Sequence, residues 1–369
     1  QTWEKVVSKN LGLDLNMFNN RLSLTTDFYI RDTKGILGKG KSLPSIYGAS
    51  EPQMNANNLR TKGYELVLGW RDSFKLAGST FSYGITGTFS DYTAEYTKCD
   101  NPTGLIGDPY VGKKYGEIWG YKVDGLFRND KEAAEYASRI DLSTVASGYY
   151  TATGAYGKGV RGGDIKYLDL NGDNIVNGGK GTLDDPGDRR VIGNSSPRYQ
   201  YGASLNFSWY GFDVSVFMQG IGRLDWYPGA DNLRFWGPYC RPYATFVPKN
   251  FMSQVWSEEN PDAYFPRARA YTSLNSNSGT AYYTNDRYLQ NLAYCRLKNL
   301  TIGYTIPRRL TSKVGIKECR IYFSGENLAT WSALKSDFLD PEQAAADSDK
   351  KANVYPWCKT YSIGLNLTF

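Results

Sequence analysis

Three oxygen-bearing side chains at alternate positions are the first candidates for chemistry in this sequence. Asp169, Asn171 and Asp173 have the spacing of positions one, three and five of an EF-hand-type calcium loop. Such ligands can converge on one hard cation when a turn folds the chain around it. Asn177 falls at position nine, but position six is Asn174 instead of glycine and position twelve is a lysine. The pattern therefore predicts calcium as a cofactor, with an Asx-rich surface turn as the alternative.

A second group of residues combines flat aromatic rings with planar hydrogen-bonding groups. Such a combination suits sugar rings or extended peptides, because binding pockets pair apolar walls with a few polar groups. The alternative is that the same side chains only pack the segment that carries them. The candidate substrate-binding residues are Trp226, Asp231, Asn232, Arg234, Trp236, Tyr239 and Arg241.

The composition excludes several kinds of chemistry. The 369 residues include no histidine, which removes the usual general base and the commonest metal ligand, so a histidine-dependent hydrolase is not predicted. A net charge of +6 without a long basic run gives no indication of nucleic-acid binding. The five cysteines show no CxxC spacing. A disulfide between Cys99 and Cys240, both in predicted outer loops, is conceivable only as a guess.

The elements that would position these residues are strands. In the stretch 360–369, apolar side chains alternate with small polar ones, as in a strand with one apolar and one polar face. No run approaches the ~18 apolar residues of a transmembrane helix, and mean hydropathy is −0.51. A membrane barrel needs only ~9–11 residues per strand, half of them polar, so low hydropathy is compatible with one.

The same alternation recurs along the chain and predicts about nine strands. Residues 11–17 and 22–30 form a hairpin around Asn19-Asn20. The remaining predicted strands lie near 64–70, 81–89, 201–209, 212–218, 289–306, 319–328 and 357–369. Aromatic residues near strand ends are expected at lipid headgroups. They are Trp70, Trp209, Tyr210, Tyr304 and Trp357.

Short and long connections alternate between these strands. The two longest, 93–197 and 221–287, are predicted extracellular loops, and the first holds one short helix at 130–140 capped by Asn129 or Asp130. Loops this long are unusual in a soluble β-sandwich, which is the alternative fold. An odd strand number disagrees with the even number of single-chain bacterial barrels. We therefore expect residues 1–369 to supply only part of a barrel, with the other strands on another polypeptide or in a removed N-terminal region.

Motifs along nearly the whole chain resemble the SusC/RagA family of TonB-dependent outer-membrane transporters. They include TWEK at 2–5, the FNNRL turn at 18–22, WGYKVDGLF at 119–127 and GDIKYLDLNGD at 163–173. Later motifs, in family order, are DRRVIGN at 188–194, LKNLTIGYTIP at 297–307, YFSGENLATW at 322–331, LDPE at 339–342 and SIGLNLTF at 362–369. The resemblance implies an all-β chain, namely the C-terminal part of a 22-stranded transmembrane antiparallel barrel in the outer membrane of a Gram-negative cell.

The resemblance also implies sites and partners. The family pattern places the last carboxylate of the calcium-like loop directly before Arg-x-Val-Ile-Gly, which is Asp188 here. The terminal Phe369 resembles a barrel-assembly signal. The plug domain is absent from this chain, so it and the N-terminal barrel part, through which TonB would act, are expected as a separate chain.

The implied function is import of oligosaccharides or peptides under a SusD-like surface lipoprotein. Membrane lipid is a further expected contact. The alternative function is an outer-membrane adhesin or binding protein on a β scaffold, without active transport. No enzymatic activity is predicted.

Overall fold

The computed structural model describes residues 2–39, 46, 48, 52–151, 159–240, 247–269, 281–336, 338–346 and 354–369. Strands dominate. In chain order they are β1 (Lys5–Met17), β2 (Leu22–Lys39), β3 (Gln53–Leu76), β4 (Ser79–Lys98), β5 (Glu117–Tyr121), β6 (Val123–Leu126), β7 (Ile165–Tyr167), β8 (Arg189–Asn194), β9 (Arg198–Trp209), β10 (Phe212–Arg223), β11 (Asp225–Trp226), β12 (Gln290–Asn291), β13 (Tyr294–Thr305), β14 (Glu318–Ser332) and β15 (Thr360–Thr368).

The helices are short. They are α1 (Asp130–Ala137), α2 (Ser147–Thr151), α3 (Leu233–Trp236) and α4 (Arg308–Thr311), and 3₁₀ turns occur at Gly237–Tyr239, Phe251–Gln254, Ser312–Val314 and Ala344–Ala346. Within the described ranges, no helix combines the length and apolar character needed to cross a bilayer.

Nine long strands form one antiparallel sheet in the order β1-β2-β3-β4-β9-β10-β13-β14-β15. Each strand therefore pairs with its nearest long-strand neighbours in sequence, which confirms the predicted number of nine. In the described chain the sheet is open, with β1 and β15 as its two edges. An open antiparallel sheet agrees with the predicted part of a larger barrel.

Two ends of this sheet differ in their connections. The turns 18–21, 77–78 and 210–211 and the segment 306–317 join strands at one end, which we call the turn end. All the long connections leave from the opposite end, which we call the loop end, because successive antiparallel strands reverse direction. Positive φ angles at Asn19, Asn20 and Gly78 fit the tight reversals at the turn end.

The strand register produces two chemically different faces. One row of directly paired residues crosses all nine strands and contains only apolar residues and one glycine: Met17, Leu22, Trp70, Ile85, Leu205, Val216, Leu300, Gly325 and Tyr361. The neighbouring row, on the opposite face, is polar apart from Gly69 and Phe217: Asn16, Ser23, Gly69, Thr86, Ser204, Phe217, Asn299, Glu326 and Thr360. The faces thus alternate as the sequence predicts.

Several strand ends differ from the predicted ones. The strands β3 and β4 continue well beyond 64–70 and 81–89, so the first long connection starts after Lys98 and not at position 93. Near the loop end the side chains no longer alternate between apolar and polar, although the hydrogen-bonded strand pairing continues. The sequence pattern therefore did not predict these strand ends. The helix α1 ends at Ala137, three residues early, where Ser138 takes the C-cap position; Asn129 is its N-cap.

The inner core of the chain lies outside the large sheet. Buried apolar residues cluster in the two long connections, together with the segment 338–346. We call the described residues within 99–197, 224–293 and 333–346 the loop body. The prediction of irregular loops with a single helix was therefore incomplete: the loop body contains the strand pairs β5–β8, β6–β7 and β11–β12 and an apolar core of its own.

Candidate functional site

The core of the loop body joins the two long connections to each other. Trp236 is fully buried and contacts Phe265 and Tyr288, whose rings also stack on each other. From the first connection, Phe127 and Tyr167 are fully buried in the same cluster. Large aromatic side chains remove much apolar area from water, so this cluster is the main stabilising contact between the connections.

A single buried amide links the polar groups of this core. The side-chain Nδ2 of Asn285 donates to the Tyr227 hydroxyl at 3.0 Å and to the Tyr283 carbonyl at 2.8 Å. Its Oδ1 accepts from the backbone N–H of Tyr288 at 3.1 Å. Asn285 is fully buried, and Tyr167 from the first connection lies within 3.4 Å of its Nδ2. The sequence analysis missed this residue, because one asparagine in a polar stretch carries no distinguishing pattern.

A buried ion pair is the second link between the connections. Arg269 donates through Nε and Nη2 to the two carboxylate oxygens of Asp164, at 2.9 and 2.6 Å, and its guanidinium lies over the Tyr149 ring. Loss of solvent raises the pKa of the Asp164 carboxyl to about 6, although Arg269 acts in the opposite direction. The preceding Gly163 has a φ of 85°, and a Cβ there would clash with the Trp256 ring.

Several tyrosines of the loop body are hydrogen-bonding groups rather than acids or bases. Burial raises the pKa of Tyr121 and of Tyr264 to about 12, because a phenolate would lose its hydration. The Tyr110 pKa also rises to about 12, through burial and through its hydrogen bond to Glu117. These hydroxyls are neutral at physiological pH and can bind neutral polar groups or carbonyls.

The predicted calcium loop is built from Asx turns. Asp169 accepts from the backbone N–H groups of Gly172 and Asn174, at 2.7 and 2.9 Å. Asn171 and Asp173 each accept from the N–H two residues further on, and Asn177 does the same from Gly179. The distances are 3.1, 2.8 and 2.6 Å. Asn174 has a φ of 65°, the left-handed conformation that glycine supplies at position six of an EF-hand loop.

The Asp188 carboxylate connects the two ends of this loop through hydrogen bonds. It is fully buried, and it accepts backbone N–H bonds from Leu170, Asn171 and Asn177 at 2.7, 3.3 and 2.9 Å. Across the described residues, no group of three or more acidic, cysteine or histidine side chains is arranged to hold a metal ion. The five predicted ligands thus share one loop, but Asp188 points to backbone amides and the others lie nearer the surface.

The second predicted set divides into packing residues and surface residues. Trp226, Trp236 and Tyr239 are buried in the core, where Trp236 Nε1 donates to the Gly229 carbonyl and the Tyr239 hydroxyl donates to that of Pro266. Asn232 is also buried and caps α3 by accepting from the Phe235 N–H.

Asp231 is exposed and Arg234 half-buried, the latter donating to the Val354 carbonyl; Arg241 lies outside the described residues. The three buried rings therefore offer no open face to a ligand, and substrate binding by this set stays a prediction.

Two smaller predictions can also be compared with the structure. None of the five cysteines forms a disulfide, so the guess that Cys99 pairs with Cys240 is wrong. Phe369 is exposed beyond the last paired residue of β15, and its role in assembly stays a prediction.

Known proteins share this sequence pattern and this sheet. A scan of protein-family models finds no match. The TonB-dependent receptor P3 of Formosa agariphila is 25% identical over 389 residues, covering 100% of this chain and 34% of its own length. SusC of Bacteroides thetaiotaomicron, also a TonB-dependent receptor, is 22% identical, covering 100% of this chain and 32% of its own length. The chain is homologous to part of the SusC/RagA-type TonB-dependent receptors.

Solved structures support the same assignment of fold. The RagAB peptide transporter superposes with a TM-score of 0.65 at 22% identity, covering 100% of this chain and 36% of the matched one. The RagAB peptide importer in its closed-closed state gives a TM-score of 0.63 at 20% identity. The chain spans about a third of the length of the curated relatives it matches. The nine-stranded sheet accordingly has the fold of one portion of the barrel in these similar proteins.

Replacing Asp188 by alanine should loosen the loop from 169 to 188. Three part-buried N–H groups would lose a charged acceptor, and hydrogen bonds to charged groups contribute about 1.5–3 kcal/mol when well formed. We expect local destabilisation of about 1–3 kcal/mol, since water can replace part of the lost bonding, measured by amide hydrogen exchange of residues 170–177 in the intact receptor. Asp184→Ala, at an exposed carboxylate four residues earlier, is the matched control. Equal protection in both variants would contradict the closing role of Asp188.

Proposed function

We propose that this chain forms part of the barrel of a TonB-dependent outer-membrane transporter that imports oligosaccharides or peptides. The observation that carries the proposal is the nine-stranded sheet with a continuous apolar row on one face and a polar row on the other. A membrane barrel turns such an apolar face to lipid and such a polar face to its lumen. Homology to TonB-dependent receptors supports the same assignment.

The open edges of the sheet support a partner that supplies further strands. In the described chain β1 and β15 each pair with a strand on one side only. Unpaired backbone N–H and C=O groups are too costly in the hydrocarbon core of a bilayer, so both edges need partners there. We propose that the rest of the barrel and a plug domain complete the structure. The plug would lie against the polar face, and coupling to TonB would pass through those parts.

The position of the loop body supports a role in receiving cargo. It sits at the loop end, where long connections of outer-membrane barrels face the exterior. We propose that a SusD-like lipoprotein covers this end as a lid, with cargo held between the two. SusC is a relative of this chain, and the solved relatives are called a peptide transporter and a peptide importer. These names support peptide cargo, and oligosaccharide cargo rests on the sequence resemblance alone.

Energised uptake is the test of transport. Cells of the source bacterium with and without the intact receptor would be given a mixed pool of labelled oligosaccharides and peptides. We expect one class to accumulate only in receptor-containing cells, and its accumulation to stop when a protonophore collapses the proton-motive force. Binding that persists without accumulation, and is insensitive to the protonophore, would instead indicate an adhesin or binding protein.

A pair of arginine substitutions tests which face meets lipid. Leu205 lies in the apolar row and the adjacent Ser204 in the polar row. At the bilayer midplane an arginine on the lipid face costs about 2–4 kcal/mol. Leu205→Arg should therefore lower the free energy of unfolding in lipid vesicles by about that amount, and Ser204→Arg by much less. A larger loss for Ser204→Arg would place the polar face against lipid and overturn the proposal.

Calcium binding by the Asx loop is also proposed. Asp169 is half-buried and Asp173 exposed, and a carboxylate oxygen that accepts one N–H bond keeps another lone pair. Extracellular calcium modules bind at ~10⁻⁴–10⁻³ M. Millimolar calcium should raise the melting temperature of the intact receptor, and the double variant Asp169→Asn, Asp173→Asn should lose that rise. Identical melting of the unmodified receptor in calcium and in chelator would refute the site.

A further inference from the structure

The apolar face of the sheet ends abruptly near the loop end of its first three strands. Leu11, Phe28 and Tyr64 are directly paired across β1, β2 and β3, and the first two side chains are 73% and 54% exposed. The next row on the same face consists of Lys9, Ile30 and Lys62. Alternate residues of one strand are ~7 Å apart, so the Cα atoms of Lys9 and Lys62 lie about that distance from the last apolar row.

Two further lysines lie on the same face, closer to the loop end. Lys5 and Lys34 are directly paired across β1 and β2, on the same face as Lys9. Like charges directly opposite each other destabilise a strand pair. Both ammonium groups are exposed, and neither forms a salt bridge with another described residue. The local arrangement therefore places more cations than carboxylates on this surface.

The carboxylates on this surface are largely occupied. Between the two lysine rows, Asp32 accepts two hydrogen bonds from Arg60, at 2.7 and 3.1 Å. Below them, Asp91 accepts hydrogen bonds from Nε and Nη2 of Arg198, each at 2.6 Å. Exposed Glu95, opposite Arg60, is the remaining acid near the rows. We call Lys5, Lys9, Lys34 and Lys62 the basic patch; with the adjacent arginines it outnumbers these acids.

The basic patch adjoins a groove whose floor is partly apolar. The groove holds about 550 Å³ and lies between β1 and β4. Its charged lining consists of Lys9, Lys62 and the Arg198–Asp91 ion pair, so the two lysines are its unpaired cations among the described residues. Leu11, Phe28 and Tyr64 supply apolar lining. A ligand in this groove would place an anion among the cations and hydrocarbon against the exposed apolar rows. Free phosphate would use only the first of these contacts, and an amphiphile would use both.

The opposite end of the same face differs in chemistry. At the turn end, paired rings occupy the face: Phe74 with Phe81, and Phe212 with Tyr304. The tyrosine hydroxyl suits a membrane–water interface and the phenylalanine rings suit the adjoining hydrocarbon, whereas lysines bind lipid phosphates and extend their stems along apolar surface. The two ends of the apolar face therefore differ in how cations are placed. At the loop end, lysines of three adjacent strands lie on the face itself, whereas at the turn end exposed cations cluster in the connection 306–317, beyond the paired rings.

We propose that the basic patch binds the phosphate group of an anionic membrane lipid whose acyl chains lie along the apolar rows below it. The proposal rests on the membrane placement given under Proposed function. Strands that complete the barrel would pair with the edge of β1 and leave its lipid-facing side open, so the patch stays accessible in the whole receptor.

The test uses the intact receptor purified in a non-ionic detergent. The probes are phosphatidic acid and phosphatidylcholine in mixed micelles, and inorganic phosphate alone, with bound lipid counted by native mass spectrometry. We expect phosphatidic acid to bind in preference to phosphatidylcholine. In the double variant Lys9→Gln, Lys62→Gln, affinity for phosphatidic acid should fall roughly thirty-fold, since a lysine near an anionic surface contributes ~1 kcal/mol.

Two control variants make the result decisive. Lys75→Gln with Lys317→Gln removes the same charge from exposed lysines at the turn end and should leave binding unchanged. Lys9→Arg with Lys62→Arg keeps the charge and should retain binding, which separates charge loss from misfolding. Equal affinity in the glutamine variant and the unmodified receptor would overturn the proposal. Inorganic phosphate competing as strongly as phosphatidic acid would overturn the lipid assignment.

Failure of this test is separable from failure of the proposed transport function. Lipid binding is measured without a proton-motive force or cargo, whereas uptake is measured in cells and requires both. A receptor that imports cargo but binds no phosphatidic acid would reject the lipid site alone. A receptor that binds phosphatidic acid but imports nothing would reject transport and retain the lipid site.

Discussion

Strand register is the constraint on which the rest of this structure depends. A strand has a side-chain period of two, so a slip of one residue anywhere in the sheet would move an apolar row to the polar face. Between β1 and β2 the pairing runs from Lys5 to Met17 without interruption. Between β2 and β3 the register shifts only at Lys34–Leu37, beyond the apolar rows. The hairpin turns fix this register locally, because each joins strands that are adjacent in both sequence and space.

The register also explains why the core is in the loop body. The sheet uses its apolar residues on an outward face, where Leu11, Ile85 and Ile363 are exposed in the isolated chain, and its inward face is polar. Neither face can supply a conventional interior. The long connections therefore carry their own aromatic core, and their polar groups must be satisfied inside it. Asn285 and the Asp164–Arg269 pair supply hydrogen-bond partners inside this core. Such partners are needed because an unpaired polar group there costs several kcal/mol.

The sequence was a good guide wherever a periodic pattern decided the structure. The hairpin at 11–30, the nine strands and the N-cap at Asn129 all follow from local patterns. The lengths of β3 and β4 were underestimated near the loop end, because their backbone hydrogen bonds continue where the apolar alternation has stopped.

The site residues were harder to place. Asp188 was assigned as a ligand from resemblance, but only the fold brings the N–H groups of Leu170 and Asn177 to it. Trp236 and Tyr239 have the composition of a binding surface, and composition cannot distinguish a ring that binds from a ring that packs.

Charged contacts decide how tightly the loop body is joined to the sheet. Arg296 on the polar face of β13 is almost fully buried and donates to Asp340 and Glu342, at 2.7 Å each, and Nε donates to Thr330. Lys298 binds the same Glu342. Removing the segment 338–346 would deprive the Arg296 guanidinium of both carboxylate partners, and breaking a buried ion pair costs about 3–5 kcal/mol.

A second attachment lies at the opposite side of the same end. Asp225 accepts from the backbone N–H of Asn194 and pairs with Arg223 at the end of β10. The loop body is thus held at both β10 and β13 by groups that water cannot easily replace. These contacts couple the position of the loop body to two strands of the sheet, so a displacement of one would strain the other.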